Sequence, residues 1–144
     1  MSEEIKRRIM AANRAYFENI KLLKSKLLSK TTKMKLYRTL IRPVVCYGAE
    51  TWTLSKADSN RFKIFERKII RKIYGVVNEE GRWRIWSNNE IEWILENKNI
   101  VKFIKSGTIR WLGHVERIYE EKIPKRVMLA RMEGTRRQGR PRSK

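Results

Sequence analysis

The sequence predicts an all-α protein, a small helical bundle over residues 1–132 with a disordered basic tail over 133–144, and three observations carry this prediction. Apolar residues recur at steps of three and four in separate stretches between residues 3 and 74, the spacing that gathers side chains on one face of a helix. The break between the first two stretches is short, which favours antiparallel packing of neighbouring helices. The last twelve residues, EGTRRQGRPRSK, hold no large apolar side chain and cannot build a core.

The first helix is expected over residues 3–28, with Ile5, Ile9, Ala12, Tyr16, Ile20, Leu23 and Leu27 on its buried stripe. Glu3 and Glu4 sit near its positive end. Residues 29–32 interrupt it, and Thr31 or Thr32 caps a second helix with Met34, Tyr37, Leu40, Ile41 and Val44 inward. Pro43 lacks a backbone donor and its ring crowds the preceding turn, so this helix should kink or stop there. Tyr47 and Gly48 then turn the chain, and Trp52 is expected to anchor in the core.

Ser55 or Asp58 caps a third helix that runs to about Tyr74, with Gly75 in the left-handed position that ends helices. At 100° per residue, Phe62, Phe65, Ile69 and Ile73 share a narrow sector, and the other positions are mostly Lys and Arg. Residues 76–87 read as a turn with a short extended or irregular piece. Asn88 or Asn89 caps a short helix with Ile91, Ile94 and Leu95 inward. Another carries Ile100, Val101 and Ile104 up to Gly107, and a further one, starting near Ser106 or Thr108, carries Ile109, Leu112, Val115 and Ile118 or Tyr119. Pro124 opens a last helix over Lys125–Arg131, with Val127 and Met128 as its apolar contacts.

Charge narrows the function classes. The net charge is +20 over 144 residues, more than solubility requires, and it predicts a polyanionic partner. Nucleic acid leads, and an anionic membrane surface is second. Residues 1–45 carry 12 Lys or Arg against 3 acids, 46–121 carry 14 against 11, and 122–144 carry 9 against 1, so the ends are basic and the middle is near balance. The longest apolar run, Val44–Ala49, is too short to span a bilayer, and residues 1–10 lack a secretory apolar region. With Cys46 as the only cysteine, no intramolecular disulfide can form, and a nuclear or cytoplasmic setting is expected.

The residues exclude most chemistry. Asp58 is the only aspartate, so no pair of aspartates can hold two metal ions. One His and one Cys cannot build a zinc site of the usual ligand set, and no nucleophile elbow or Gly-rich phosphate loop occurs. His114 has no nucleophile or acidic orienter near it in sequence, and Cys46 reads as a small buried hydrophobe. No catalysis by this chain alone, no cofactor, no metal and no small-molecule substrate are expected.

Cations aligned on rigid elements can follow a phosphate backbone. The second helix offers Lys33, Lys35, Arg38 and Arg42, and the third offers Lys63, Arg67, Lys68, Arg71 and Lys72. If the two pack side by side, they form one broad basic surface. The five tryptophans, Trp52, Trp83, Trp86, Trp93 and Trp111, are assigned mainly to packing, with base stacking as the alternative. In the tail, Gly139-Arg140-Pro141-Arg142 resembles the core of an AT-hook, with flanking charge from Arg136 and Arg137. Gln138 stands where that motif has arginine, and general phosphate attraction or a nuclear-import signal explains the same residues.

Taken together, KTTKMKLYRTLIRPVVCYGAETWTLSKAD, FERKIIRKIYGV, GTIRWLGHVERI, IPKRVMLARMEG and RRQGRPR resemble the region after the palm in reverse transcriptases of LINE-type, non-LTR retrotransposons. The resemblance spans nearly the whole chain, and its specificity comes from several blocks in one order. It implies a thumb-like helical fold with a C-terminal extension that holds primer and template through Lys33, Arg38, Arg42, Lys63, Arg67 and Arg71. The fingers, the palm with its metal site, and the endonuclease would lie outside this sequence, so a palm on another chain is an implied partner. Two other readings stand beside what the resemblance implies: a domesticated DNA-binding or regulatory protein led by its basic tail, and an inert retroelement remnant.

Overall fold

Helices carry most of the chain, in line with the spacing of its apolar residues. The structure is a computed structural model that describes residues 3–96 and 98–130, so the tail predicted for 133–144 lies outside the described residues. The chain divides into two compact units, residues 1–110 and 111–144.

In the first unit, α1 (Glu3–Glu18) buries Ile5, Ala12 and Tyr16. It does not continue to residue 28 as expected. Asn19 turns its side-chain amide onto the Ala15 carbonyl at 2.9 Å, the short-range bonding by which Asn competes with a helix. A separate α2 (Ile20–Lys24) follows, Ser25 is extended, and Leu27 is 96% exposed instead of packed. Ser29, not Thr31 or Thr32, caps α3 (Lys30–Leu36), its hydroxyl accepting from the Thr32 amide at 3.1 Å.

Pro43 neither stops nor sharply ends the next stretch. Tyr37–Ile41 forms a π-helical turn in which the Arg42 amide reaches back to the Tyr37 carbonyl, and α4 (Arg42–Val45) follows with Pro43 in its first turn. The wider turn shifts the bonding register just before the residue that has no donor, so the helix passes through it. Cys46 and left-handed Gly48 then end it, and a 3₁₀ turn (Ala49–Thr51) leads to Trp52, stacked on Phe62 with ring centroids 5.9 Å apart.

Ser55 caps α5 (Lys56–Tyr74), accepting from the Asp58 amide at 3.1 Å. Its buried face is wider than the four predicted residues, because Glu66 and Ile70 are buried beside Phe62, Phe65, Ile69 and Ile73. Gly75 has positive φ (74°) with ψ −154°, a glycine conformation distinct from the expected left-handed turn. The irregular piece is an antiparallel hairpin, β1 (Val77–Glu79) with β2 (Arg82–Arg84), in the register Val77↔Arg84, Asn78↔Trp83 and Glu79↔Arg82. Glu80 and Gly81, both at positive φ, make its two-residue turn. The fold is therefore mostly helical with one small hairpin.

Ser87, not Asn88 or Asn89, caps α6 (Asn88–Ile94) in a capping box with Glu90. Arg84 grips the Glu90 carboxylate at 2.7 and 2.9 Å, which fastens the hairpin to α6 and holds that carboxyl at about 2. The two helices expected on either side of Gly107 are one continuous α7 (Ile100–Arg117). A glycine costs a helix only about 1 kcal/mol relative to alanine, too little to break so long a run.

Glu66 joins these parts. It is 1% exposed, accepts from the Tyr37 hydroxyl at 2.8 Å and from the Ile100 amide at 2.9 Å, and so ties α5 to the π turn and to the first turn of α7. Burial raises its carboxyl above the ordinary range, and burial likewise pushes the Tyr37 phenol well above its own, so Tyr37 remains the donor. Cys46 is buried as expected, its thiol pushed up to about 12 by desolvation.

In the second unit, α8 (Ile123–Leu129) starts around Pro124 as predicted but presents different residues inward. Val127 is exposed, Met128 is at the surface, and Lys125 is the buried residue, its ammonium donating to the Glu116 carboxylate at 2.7 Å and the Glu116 carbonyl at 3.1 Å.

Glu66→Ala should lower stability by about 3 kcal/mol in denaturant unfolding, because two buried donors lose their acceptor, and Glu66→Gln should cost less. The raised carboxyl adds a pH signature. Stability tied to this group is fully present below its unfolded-state value and is lost as pH rises through the folded value. Wild type should therefore gain on the Gln variant as pH falls through the carboxylate range, and a constant difference would contradict the assignment.

Candidate nucleic-acid interface

The cations of α5 fall on two flanks of its buried sector. Arg67 and Arg71 lie toward α6: Arg67 pairs with Glu92 at 3.3 Å, and Arg71 donates to the Trp86 carbonyl at 3.0 Å and to Asn88 at 2.8 Å. Both are half-buried ties between α5 and the hairpin–α6 segment. Glu92 in turn accepts from Asn99 at 2.9 Å, which carries the network to the start of α7. These arginines have the fork geometry that suits several acceptors at once.

Arg61, Lys68 and Lys72 occupy the other flank, facing α1. The Lys72 ammonium lies 4.9 Å from the Tyr16 ring and 5.7 Å from Phe17, within cation–π range. Lys68 and Arg61 border an apolar groove of about 370 Å³ between α1 and α5, with Ile9, Met10, Ile64 and Phe65 inside and Lys6 on the far rim. Ile64, the apolar interruption of the basic face, thus has apolar neighbours. Lys63 is half-buried, and neither Lys63 nor Lys68 has a hydrogen-bonding or ionic partner among the described residues.

On α3 and the segment after it, the predicted cations divide as well. Lys33 and Lys35 have no partner among the described residues, Lys33 being half-buried and Lys35 exposed. Arg38 is half-buried, and its charge, with the larger contribution of Lys98, helps hold the Glu96 carboxyl below its usual range. Arg42 lies with its guanidinium 4.2 Å from the Phe103 ring centroid and close to Lys98 and Lys102 in one cleft. α3 does pack against α5. The structure thus separates Arg67 and Arg71, held by acceptors on another element, from Lys33, Lys35, Lys63 and Lys68, which have no such partner among the described residues, a distinction that the even spacing of positive charge along the helices does not reveal. Lys98, Lys102 and Phe103 line that cleft with Arg42, a juxtaposition of residues far apart in sequence that local spacing does not show.

Packing accounts for fewer tryptophans than expected. Trp52 and Trp86 are half-buried, Trp86 standing edge-on to Tyr74 at 5.9 Å. Trp83, Trp93 and Trp111 are exposed, Trp93 at 83%. His114 lies at the surface. Among the described residues no three His, Cys, Asp or Glu side chains gather as a metal ion would need, and no helix is long and apolar enough to cross a membrane. Arg136, Arg137, Arg140 and Arg142 lie outside the described residues.

An uncharacterised transposon-derived protein of Caenorhabditis elegans is 30% identical to the chain over 114 residues, 79% of its length. The chain spans 40% of that relative, and the likeness points to a transposon-related origin. No family description matches the sequence, and no solved structure matches it.

The division between tied and outward cations is measurable. Arg67→Ala and Arg71→Ala should each destabilise the fold by about 1–2 kcal/mol in urea unfolding, since each removes a cross-element bond. Lys63→Ala and Lys68→Ala should stay within about 0.5 kcal/mol of wild type. Equal effects at all four positions would refute the distinction.

Proposed function

We propose that the chain is a non-catalytic, thumb-like helical module of retrotransposon reverse-transcriptase descent that holds nucleic acid by its phosphates. Primer–template is its substrate in this reading, and any polymerase chemistry belongs to a palm on another chain or another part of a longer protein. The observation that carries the reading is the set of lysines at 33, 35, 63 and 68, which sit on helices without an acidic partner among the described residues in a chain of net charge +20. Such charges are available for exchange with condensed counterions, which is the main source of phosphate-backbone affinity. The transposon-derived relative and the ordered LINE-type blocks agree with it. A nuclear or cytoplasmic setting, where nucleic acid and a reduced thiol coexist, fits the same reading.

Fluorescence anisotropy with a labelled primer–template tests it. Four phosphate contacts would weaken binding by roughly 100-fold between 50 and 200 mM salt. Lys63→Glu with Lys68→Glu should reduce affinity similarly across sequences while leaving the melting transition in place. Removal of residues 133–144 should leave most of the affinity. Salt-insensitive binding would contradict the proposal, and loss of binding on tail removal would transfer the function to the tail.

A further inference from the structure

α1 and α5 carry apolar residues outside the stripes that they bury. Met10 is 60% exposed and Ile64 is 63% exposed, and both line the groove of about 370 Å³ between the two helices. The groove takes the same row from each helix, positions 6, 9, 10 and 13 of α1 and 61, 64, 65 and 68 of α5, the spacing that puts side chains on one face. In both rows the middle pair is apolar and the ends are polar. An aliphatic floor, two turns or roughly 10 Å long, is therefore bordered by cations. Each row continues by one turn to Phe17, itself exposed, and to Lys72, whose ammonium lies 5.7 Å from the Phe17 ring.

The charge of the border is one-sided. The lining includes no carboxylate among the described residues. Lys6 and Lys68 are exposed and have no hydrogen-bonding or ionic partner among the described residues. Arg61 shares its charge with Asp58 at 3.3 Å and contributes less. Glu4, on the same helix as Lys6, is taken by Arg7 and Arg8.

This combination selects among occupants. A second copy of the chain brings its own net charge of +20 and is repelled. Bases stack on open aromatic faces, whereas this floor is aliphatic apart from Phe65, which is 5% exposed. A membrane takes up side chains that project from a surface, and here Ile9 and Phe65 sit below the rim. A groove between two helices suits the apolar face of a third helix, read at the same three- and four-residue steps, and the flexible Met10 side chain can adapt to it. Acidic residues flanking that face would meet Lys6 and Lys68.

We propose that the α1–α5 groove is a docking site for an acidic amphipathic helix of a partner protein. Apolar side chains of that helix rest on Ile9, Met10 and Ile64, and its carboxylates pair with Lys6 and Lys68. The site stands apart from the nucleic-acid reading, although Lys68 belongs to both surfaces.

The test titrates the full chain, with Met and Ile methyl groups labelled for NMR, with a helix-forming peptide of about 14 residues that carries Leu at i, i+3, i+4 and i+7 and Glu on both flanks. A scrambled peptide keeps the charge without the apolar face, and a Lys-flanked peptide keeps the face with inverted charge. Wild type should bind the Glu-flanked helix with shifts at Met10 and Ile64, and should bind both controls at least about tenfold more weakly. Met10→Gln/Ile64→Gln should lower peptide affinity about tenfold and leave primer–template affinity unchanged. Lys6→Glu/Lys68→Glu should lose the Glu-flanked helix and gain the Lys-flanked one. Unmoved Met10 and Ile64 signals, equal binding of the scrambled peptide, or full peptide affinity in the Gln pair overturns the proposal. Shifts of these signals by phosphatidylserine vesicles but not by the peptide give the face to a membrane, and a parallel loss of primer–template affinity in the Gln pair gives it to nucleic acid; either result also overturns it. A chain that binds the helix and no primer–template supports the docking site and overturns the nucleic-acid reading alone.

Discussion

The buried carboxylate of Glu66 is the constraint on which the first unit depends. A carboxyl group that is 1% exposed is costly to charge, and its position is tolerable because two donors meet it, one from each neighbouring segment. Tyr37 meets it from the start of the π turn, and Ile100 meets it with the first amide of α7. The same bond answers an amide at the start of α7 that has no partner within the helix. One side chain thus sets the relation of three elements far apart in sequence, and Arg42 lies close enough for its charge to favour the ionised carboxylate.

Around that centre the two basic residue types take different tasks. Arginines 67, 71 and 84 each bind acceptors on another element, Arg61 pairs with Asp58 beside the start of α5, and Arg42 is held on an aromatic ring. A planar fork with several donors suits such cross-links. Lysines 33, 35, 63 and 68 carry compact charges on flexible stems and have no acidic partner among the described residues, Lys35 and Lys68 being exposed and Lys33 and Lys63 half-buried. Because much of the acidic complement among the described residues serves the arginines, the net positive charge is left largely on side chains that can exchange water and counterions for phosphate. On α5, fold stability and the proposed binding therefore draw on different residues, which is why charge reversal at Lys63 and Lys68 is a cleaner probe of binding than reversal at Arg67 and Arg71.

Local patterns made much of this readable in advance. The stripe of Ile5, Ala12, Tyr16 and Leu23, the Ser55 cap and the α5 core face all follow from spacing and capping chemistry, and they stand where expected. The misses share a physical cause, which is competition between nearby options that only tertiary contacts decide. Ser29 and Ser87 took caps that adjacent Thr or Asn residues could have filled. Pro43 was accommodated by a change of helical register, and Gly107 by the length of the helix around it. Nothing local marks Glu66 among the charged positions of α5, since its partners lie 29 and 34 positions away. The same blindness applied to the cations: their spacing sets Lys63, Arg67, Lys68 and Arg71 on one helix, but it could not foresee that Arg67 and Arg71 would turn toward α6.

Lysine footprinting tests the central claim most directly. The full chain is acetylated briefly with and without a primer–template, and the modified positions are read by mass spectrometry. The account predicts protection of Lys33, Lys35, Lys63 and Lys68 by the nucleic acid, declining as salt is raised. Equal modification of these lysines in the bound and unbound chain, with binding shown in the same sample, would contradict it.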